Sequence, residues 1–433
     1  MFLMRNPANP PSLCSIPNFF LVSLAIKWRN EVDMGRQFDF RSKAMMGSDP
    51  HQYFPKQLST PAYVQVEAQL RANLERIKQV SDRTGVEIIL AFKAYALWKL
   101  FPIFREYISA STASSLAEAR MGRDKMGSLT HTYAPVYKSE EFEEIMECST
   151  HIVFNSLSQF ERYYPRVRGY QGHPIECGIR INPEYSEVGT ELYNPAAPGS
   201  RMGTIVSQIP EKLPEGMVGI HIHTHCESNS YQLERSLKVI EEKCDHLLKQ
   251  AKWLNLGGGH LMTHQEYDVE HLIGLLLGFK AKHPHLHIIL EPGSAFAWET
   301  GYLVATIEDI VENHGIRTLM MDASFTCHMP DCLEMPYQPR VRGAEMAPTA
   351  THTHQYRIGG NSCLSGDVMG DWYFANEPKV GDLLIFEDML HYTSVKTTMF
   401  NGIKHPSICV ERLDGQLELL REYGVEDYLS RMD

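Results

Sequence analysis

A lysine at the end of an apolar run is the first residue of this 433-residue chain whose position could do chemistry. The run Val86–Phe92 is apolar apart from Glu87, and it delivers Lys93 at its end. Because an ammonium beside apolar walls is costly to desolvate, burial lowers the pKa of a lysine and frees a neutral amine. Such an amine can form a Schiff base with a carbonyl compound. A surface lysine that ends a strand is the plain alternative and, for a single lysine, the commoner one.

Polar residues also end several later apolar runs. Arg180 lies near the end of IECGIRIN, His223 ends MVGIHIH, Glu291 ends LHIILE, and the triplet Gly257–Gly259 closes WLNLG. If these runs are parallel strands of one barrel, their carboxyl ends surround one active site. The pattern therefore predicts that these residues meet Lys93.

Each of these residues has a chemical use and a plain alternative. The glycines Gly257, Gly258 and Gly259 could present backbone N–H groups to a phosphate, or form an ordinary tight turn. Glu291, which precedes a Pro-Gly pair, could keep a pyridine nitrogen protonated, or be solvated. Alternation would turn the three histidines of HIHTH to one face, where they could bind a metal. One of these imidazoles could instead stack on an aromatic cofactor or be a hydrogen-bonded structural residue.

Two later segments carry further candidates. The glycine-bounded loop GNSCLSGD contains the thiol of Cys363 and the carboxylate of Asp367, or it is a structural loop with a bystander cysteine. Tyr392, in the segment HYT, could donate to a phosphate oxygen or belong to the core. We expect HYT and the later FNG to flank a strand.

Eight strand-like runs separated by helix-length connections predict an α/β fold with a parallel (β/α)8 barrel, because parallel neighbours need crossover helices. The runs span 88–93, 107–111, 131–136, 151–155, 175–182, 217–223, 253–257 and 286–291. Before them, a helix with one apolar face is predicted by Val66, Leu70, Leu74, Ile77 and Val80.

Beyond Gly301 the runs YLVATIEDIV, TLMMDAS, QYRIGG, DLLIFED, TSVKTTMF and SICVERL predict an antiparallel β domain. The early segment Pro61–Val66 also looks strand-like and could join it. We expect the barrel at 80–300 and the β domain at 55–79 and 301–433. Residues 1–50 are expected to be a disordered extension or a mis-assigned start.

Composition narrows the function classes. The formal charge of −12 argues against a nucleic-acid partner and suits a cationic substrate. Nine cysteines without a CxxC pair are typical of reduced thiols in a cytoplasmic protein. The apolar run Phe19–Ile26 is too short to span a bilayer, which takes about 20 residues, and no signal cleavage site follows it.

The motifs AFKAYALWKLF, WLNLGGGH, LEPGSA, GNSCLSGD and HYTSVKTTMFNG, in this order, resemble the fold-type III pyridoxal-phosphate decarboxylases, the alanine racemase and ornithine decarboxylase group. Within that group, NPAAPGSRMG at 194–203 and TCHMPDCLEMPYQP at 326–339 most resemble the carboxynorspermidine (carboxyspermidine) decarboxylases. The resemblance implies a barrel with an alanine racemase-like C-terminal β domain. It also implies pyridoxal 5'-phosphate as the cofactor, and decarboxylation of a carboxylated polyamine to norspermidine or spermidine.

The resemblance also implies roles for single residues. Lys93 would hold the cofactor as a Schiff base, Glu291 would pair with its ring nitrogen, and His223 would stack on its ring. The phosphate would be held by the Gly257–Gly259 turn, Gly293 and Tyr392. Arg180 would support the cofactor indirectly, through residues that contact it.

For the reaction itself, the resemblance implies that Cys363 returns a proton to the carbon that loses CO₂. Asp331 would meet a cationic amine of the substrate, with Glu334 as a weaker candidate, and Asp367 would help to bind the substrate. Family members are similar in being head-to-tail homodimers, so Lys93 and Cys363 would come from different subunits.

Two positions depart from the ornithine decarboxylase pattern, and several rivals stay open. Ser294 stands where that branch has an arginine, and Thr224–Cys226 stands where it has a serine.

A racemase, or a decarboxylase of the diaminopimelate or ornithine type, would share the fold. A metal-dependent barrel hydrolase is suggested by HIHTH, His352 and His354, and a non-catalytic regulator is a further alternative; the main interpretation needs no metal.

Overall fold

Two β-sheets organise the part of the chain that the computed structural model describes, residues 59–433. One is a parallel sheet and the other is mostly antiparallel. The extension expected at 1–50 lies outside the described residues. Among residues 59–433, every helix is too short or too polar to cross a membrane.

The parallel sheet is a barrel. Strand β1 (Ala62–Val66) and helix α1 (Glu67–Thr84) precede it. Its strands are β2 (Glu87–Ile88), β3 (Leu90–Ala91), β4 (Ser111–Ala113), β5 (Thr130–Tyr133), β6 (Ser149–Phe154), β7 (Glu176–Asn182), β8 (Thr204–Ile205), β9 (Met217–His221), β10 (Trp253–Asn255) and β11 (His287–Leu290).

The order of pairing is β2-β11-β10-β9-β7-β6-β5-β4-β3, with β8 beside β7. The two ends of this path, β2 and β3, are consecutive pieces of the first strand and are separated only by Ile89. The Ile89 amide donates to the carbonyl of Leu290 at 3.0 Å, so the first strand contacts the last one and the second one. The predicted (β/α)8 barrel is confirmed.

The helices that cover the barrel follow its strands. After α1 they are α2 (Phe101–Phe104), α3 (Leu116–Met121), α4 (Phe142–Cys148), α5 (Leu157–Gly169), α6 (Ser230–Leu248), α7 (Val269–Lys282) and α8 (Ser294–Ala297). The predicted apolar face of α1 is confirmed, since Leu70, Leu74, Ile77 and Val80 are fully buried. This helix ends at Gly85, whose φ of 63° is left-handed and favours glycine.

The second barrel strand is not where the sequence predicted it. The run 107–111 was expected, but β4 spans Ser111–Ala113. The amides of Tyr107 and Ile108 both donate to the carbonyl of Phe104 at 2.9 Å, so these apolar residues continue the turn after α2. Their side chains pack into the core from a helical turn rather than from a strand.

The second sheet contains β1 and the C-terminal strands. These are β12 (Gly301–Asn313), β13 (Ile316–Met321), β14 (Ala344–Glu345), β15 (His354–Gly359), β16 (Val368–Phe374), β17 (Leu383–Glu387), β18 (Ser407–Glu411) and β19 (Leu417–Arg421). The order is β14-β16-β15-β13-β12-β1-β18-β19, with β17 beside β12. Short helices α9 (Phe325–His328), α10 (Pro330–Glu334) and α11 (Val425–Met432) accompany it.

This sheet confirms the predicted β domain, with one correction to its strand directions. Most neighbours are antiparallel, but β1 pairs with β18 in parallel, and β13 pairs with β15 in parallel. The early strand β1 joins this sheet between β12 and β18, as the sequence suggested. The exact domain boundaries near 80 and 300 stay a prediction.

The strand expected at TSVKTTMF is absent from the described chain. Residues Thr393–Val395 and Phe400–Gly402 form two single 3₁₀ turns instead. The Lys396 amide donates back to the carbonyl of Tyr392 at 3.1 Å, and the Thr398 amide donates to Cys327 at 2.8 Å. Contacts with the loops around α9 and α10 therefore override the β propensity of threonine and valine.

A tryptophan fills the barrel below the candidate site. The indole of Trp253 lies against Gly178 and Gly219, where a Cβ atom on either glycine would overlap it. The ring of His151 meets this indole edge-on at 5.3 Å. This packing fills the amino-terminal half of the barrel, whereas the active sites of such barrels lie at the carboxyl ends of the strands.

Candidate active site

Lys93 lies just past β3, between two residues that are fully buried, Phe92 and Ala94. Its own side chain is accessible because it extends from the strand end instead of packing into the core. Surrounding protein nevertheless desolvates the amine and lowers the pKa of Lys93. The positive charge of Arg180 adds to this shift, while the carboxylate of Glu291 opposes it.

Glu291 follows β11 and is buried. Its Oε1 atom accepts a hydrogen bond of 2.6 Å from Nδ2 of Asn255, and its Oε2 atom lies 3.9 Å from Nε2 of His221. Burial raises the pKa of Glu291, while the bond from Asn255 and the charge of Lys93 lower it. A buried carboxylate in this position suits a cationic ring N–H.

The glycine turn lies between His223 and Glu291. The amide of Gly258 donates to Nδ1 of His223 at 2.9 Å. Gly257 has a φ of 68°, and a Cβ atom there would lie 2.5 Å from the same nitrogen. A Cβ atom at Gly258 would overlap the carbonyl oxygen of Glu291. Only glycines allow this close approach, which leaves a backbone surface that a phosphate could reach.

Tyr392 and Gly293 approach the strand end from the other side. The Tyr392 amide donates to the carbonyl of Ala94 at 2.8 Å, and its φ of 54° is rare for a non-glycine residue. A Cβ atom at Gly293 would lie 2.5 Å from Cβ of Ala94 and 3.5 Å from the Tyr392 hydroxyl. Burial raises the pKa of Tyr392, which keeps its hydroxyl protonated and able to donate.

Arg180 lies in β7 and is buried beside an aromatic ring. Its guanidinium carbon is 4.7 Å from the centre of the Tyr133 ring. The imidazole of His221 meets the same ring edge-on at 5.3 Å. Arg180 therefore lies near both Lys93 and Glu291, and its positive charge lowers the pKa of each.

The histidines of HIHTH do not form the common face that the sequence suggested. The strand β9 ends at His221, so the alternation stops before His223 and His225. His221 contacts Tyr133, whereas His225 contacts the ring of His260 at 5.2 Å. No group of three or more His, Cys, Asp or Glu side chains within residues 59–433 could hold a metal ion.

The acidic stretch on α10 lies next to Tyr392 in the chain fold. Oδ2 of Asp331 accepts hydrogen bonds from the hydroxyls of Tyr337 at 2.8 Å and Thr393 at 2.9 Å. Its Oδ1 atom is buried and has no hydrogen-bond partner among the described residues. Glu334 is exposed and pairs with Lys396. Asp331 thus keeps one buried carboxylate oxygen that no group within residues 59–433 satisfies.

The Cys363 loop lies in the β domain and is exposed on the single chain. The amide of Cys363 donates to Oδ1 of Asn401 at 2.8 Å. The carboxylate of Asp367 is buried and accepts bonds from Ser324 at 2.8 Å and from the hydroxyl of Ser362 at 2.6 Å. These contacts indicate that Asp367 positions the loop. The substrate contact predicted for Asp367 stays a prediction, and these contacts do not favour it.

Three residues near the site were not among the predicted ones. Asn255 binds Glu291 and also accepts from the Gly257 amide at 2.8 Å; a polar residue inside the apolar run WLNLG was its sequence signal. Tyr193 lies near acidic residues, and burial followed by the charge of Glu334 raises its pKa to about 12. Glu227 has a φ of 45°, and its charge also raises the pKa of Tyr193. The sequence carried no signal for these last two.

These residues fit pyridoxal phosphate. The set combines an accessible amine of lowered pKa, a buried carboxylate, an imidazole held by a glycine turn, and a protonated tyrosine hydroxyl. The described cysteines, eight in number, form no disulfide with one another.

Comparisons with known proteins agree with this chemistry. A family model described as "Pyridoxal-dependent decarboxylase, C-terminal sheet domain" matches residues 19–389. The chain is 46% identical to a carboxyaminopropylagmatine decarboxylase from Synechocystis sp., covering 87% of this chain and 96% of that protein. It is 38% identical to a carboxynorspermidine/carboxyspermidine decarboxylase from Campylobacter jejuni, covering 87% of this chain and 100% of that one.

Solved structures support the same relationship. A carboxynorspermidine decarboxylase from Campylobacter jejuni, complexed with norspermidine, aligns with a TM-score of 0.79 at 36% identity, covering 86% of this chain and 100% of that chain. A diaminopimelate decarboxylase aligns with a TM-score of 0.73 at 19% identity and shows the fold alone. The chain belongs to the pyridoxal-dependent decarboxylases of fold type III and uses pyridoxal phosphate as its cofactor.

Proposed function

We propose that this enzyme decarboxylates carboxynorspermidine or carboxyspermidine, giving norspermidine or spermidine in polyamine biosynthesis. The observation that carries the proposal is the 38% identity to the Campylobacter enzyme over that protein's whole length. The diaminopimelate decarboxylase from Methanocaldococcus jannaschii is 24% identical to this chain, and this lower identity supports the polyamine substrates over that alternative. The residues that would be needed for a metal-dependent hydrolase are not grouped within 59–433.

The cofactor would be held by the residues at the strand ends. Bound pyridoxal phosphate supplies the electron sink that lets an amino acid lose CO₂. Lys93 would bond the cofactor through its amine, whose lowered pKa favours the neutral form, and Glu291 would accept a hydrogen bond from the ring nitrogen. His223 would stack on the ring, since the Gly258 amide fixes its orientation. The phosphate would meet the Gly257–Gly259 turn, Gly293 and the Tyr392 hydroxyl.

Cys363 would return a proton to the substrate carbon that loses CO₂. Its thiol is exposed on a loop of the β domain, and Asn401 and Asp367 hold that loop in shape. We infer that the loop of one subunit completes the site of another, so that Lys93 and Cys363 of each site come from the two subunits of a homodimer. The exposure of Cys363 on the isolated chain supports this arrangement.

The cationic tail of the substrate would bind at α10. Asp331 offers the buried Oδ1 atom, which has no partner among residues 59–433, while its Oδ2 atom is fixed by two hydroxyls. An ammonium that reached Oδ1 would gain a charge-assisted hydrogen bond. Glu334 would contribute less because it is exposed and already paired with Lys396. A substrate with a carboxylate tail would be repelled by this pair of acids.

A second candidate substrate is carboxyaminopropylagmatine. The 46% identity to the Synechocystis decarboxylase of that name favours it. A guanidinium tail would also suit Asp331, because carboxylates bind guanidinium groups through paired hydrogen bonds. The geometry of α10 is compatible with both tails.

We propose that the enzyme works in the cytoplasm. The free cysteines of residues 59–433 suit a reducing compartment, and the charge of −12 suits a diffusible protein with cationic substrates.

CO₂ release measured on a substrate panel tests the function. The panel contains carboxynorspermidine, carboxyspermidine, carboxyaminopropylagmatine, ornithine, lysine and diaminopimelate. We expect kcat/KM to be highest for one of the first three. Equal or faster turnover of ornithine, lysine or diaminopimelate would contradict the proposal, and the ranking among the first three separates the two candidate substrates.

A further inference from the structure

His221 is buried at the end of β9, and the roles proposed above do not use it. It is only 3% exposed, and neither ring nitrogen has a hydrogen-bond partner among the described residues. Polar groups this deeply buried are almost always hydrogen-bonded in folded proteins. The imidazole lies beside Glu291, so a hydrogen bond between these two side chains is the first one to consider.

The nearest carboxylate is the one that would pair with the cofactor. Nε2 of His221 lies 3.9 Å from Oε2 of Glu291, and its ring packs edge-on against Tyr133 at 5.3 Å. The other oxygen of Glu291 already accepts the 2.6 Å hydrogen bond from Asn255. His221 therefore lies closest to the oxygen that Asn255 does not bind.

The charges around His221 keep its ring neutral. Burial lowers its pKa well below the ordinary value, and the positive charges of Arg180 and Lys93 add to the effect. The remaining ionisable neighbours are Glu291, His131 and His223. A neutral imidazole still carries one N–H, which it can donate.

Glu291 needs donors in order to remain ionised. Burial raises its pKa, and a protonated Glu291 could not hold a positively charged ring nitrogen. Asn255 and Thr112 oppose this shift through hydrogen bonds. A third donor on Oε2 would act in the same direction.

We propose that His221 is a positioning residue that donates its N–H to Oε2 of Glu291 and holds this carboxylate in the form that pairs with the cofactor. A movement of about 1 Å brings the two atoms to hydrogen-bond distance. The inference rests on the proposed role of Glu291 and does not depend on which polyamine is the substrate.

The alternative is a packing role against Tyr133, and two variants separate it from the proposal. His221→Phe keeps an aromatic ring beside Tyr133 but cannot donate, whereas His221→Gln keeps a donor. His131→Phe is the matched control, because His131 is also a buried barrel histidine and acts on His221 through its charge, but its ring lies against His151 and the carboxylate that acts on it is Glu87. Glu291→Gln tests the partner.

The measurements are the dissociation constant of pyridoxal phosphate, the pH dependence of the visible absorbance of the bound cofactor, and the melting temperature of each protein without cofactor. For His221→Phe we expect cofactor affinity to fall about 10-fold or more, with a shift in the absorbance titration of about one pH unit. His221→Gln and His131→Phe should each stay within about 3-fold of the parent affinity, with the parent titration.

Several results would overturn the proposal. An unchanged affinity and titration in His221→Phe would leave only packing, as would an equal loss in His221→Gln. If Glu291→Gln shifts neither measurement, the pairing of Glu291 with the cofactor is itself refuted; if Glu291→Gln shifts both and His221→Phe shifts neither, only the role of His221 fails. Should His221→Phe not fold, His221→Leu provides the apolar variant for comparison with His221→Gln.

Discussion

The two ends of the barrel contain the same residue types in different states. At the amino-terminal end, Nε2 of His287 lies 2.7 Å from Oε2 of Glu87, and Nδ1 of His151 lies 3.0 Å from the hydroxyl of Thr150. At the carboxyl end, both nitrogens of His221 lack partners among the described residues, and so does the Oδ1 atom of Asp331 on α10 of the β domain.

Residue type therefore does not distinguish the functional end of this barrel, but the pairing of these histidines does. Histidines and carboxylates that bind one another stabilise the fold. The unpaired oxygen of Asp331 lies close to Tyr392, whose backbone is strained, because Asp331 is hydrogen-bonded to the next residue, Thr393. Unpaired buried groups and a strained backbone are both typical of a surface that binds a ligand. Substitutions at the two ends should consequently differ in kind: the carboxyl end should change chemistry and the amino-terminal end should change stability.

The largest effect should come from Lys93→Ala. Without the amine the cofactor has no covalent anchor, so we expect turnover to fall below detection. Borohydride reduction followed by peptide mapping should label Lys93 in the parent and nothing in the variant. The control at the opposite end is Lys252→Ala, an exposed lysine just before β10, which should keep parental activity. A label on any other lysine of the parent would refute the assignment.

Cys363→Ala should have the next largest effect. Loss of the proton donor should lower kcat by about 100-fold or more, with little change in cofactor affinity. Ser365→Ala, on the same exposed loop, is the matched control and should stay within about 2-fold.

Mixing Cys363→Ala with Lys93→Ala subunits tests whether the site is shared. If each site takes one residue from each subunit, half of the randomly mixed dimers contain one intact site, and activity should recover to about a quarter of the parent value. Absence of recovery, despite verified subunit exchange, would place both residues in one subunit.

Asp331→Asn should have a smaller effect that depends on the substrate. Removing the charge beside the unpaired Oδ1 atom should lower kcat/KM by about 10- to 100-fold, mainly through KM. The matched control Glu334→Gln removes an exposed acid that Lys396 already pairs with, so it should change kcat/KM by about 3-fold or less. An equal loss in both variants, measured as CO₂ release, would show that the acids act through their summed field rather than through Asp331.

Sequence patterns predicted the parts of this fold that depend on local order. Helix α1 was predictable because its apolar spacing matches one helical face, and the barrel was predictable from the alternation of strands and helices. The strand β4 was misplaced because it has only three residues, while Tyr107 and Ile108 beside it are apolar for reasons of helical packing. The segment after Tyr392 has the residue composition of a strand, which is why the sequence predicts one. No strand forms because contacts with Asp331 and Cys327, which are distant in sequence, override this propensity.

The site shows the same division. Lys93 and Glu291 were found because each ends an apolar run, which is a local signal. Asn255 was missed because a single amide within such a run has many explanations, although its bond to Glu291 is short. The unpaired nitrogens of His221 could not be seen at all, since the absence of a partner is a property of the folded surroundings.

The smallest expected effect tests the amino-terminal end. His131 is buried there, its ring 3.9 Å from that of His151, and burial lowers its pKa to about 3. The unfolded chain binds a proton on this histidine near pH 6.5, whereas the folded chain resists it. The contribution of this neutral histidine to the free energy of unfolding is thus complete above pH 6.5 and is lost as the pH falls toward 3, by up to about 1.4 kcal/mol per pH unit.

His131→Gln should therefore make the melting temperature fall less steeply between pH 6.5 and 4, while turnover at pH 8 stays within about 2-fold. The exposed His246→Gln should leave the slope unchanged. A loss of turnover in His131→Gln with an unchanged slope would contradict this difference between the two ends, because it would show that the amino-terminal end of the barrel contributes to catalysis.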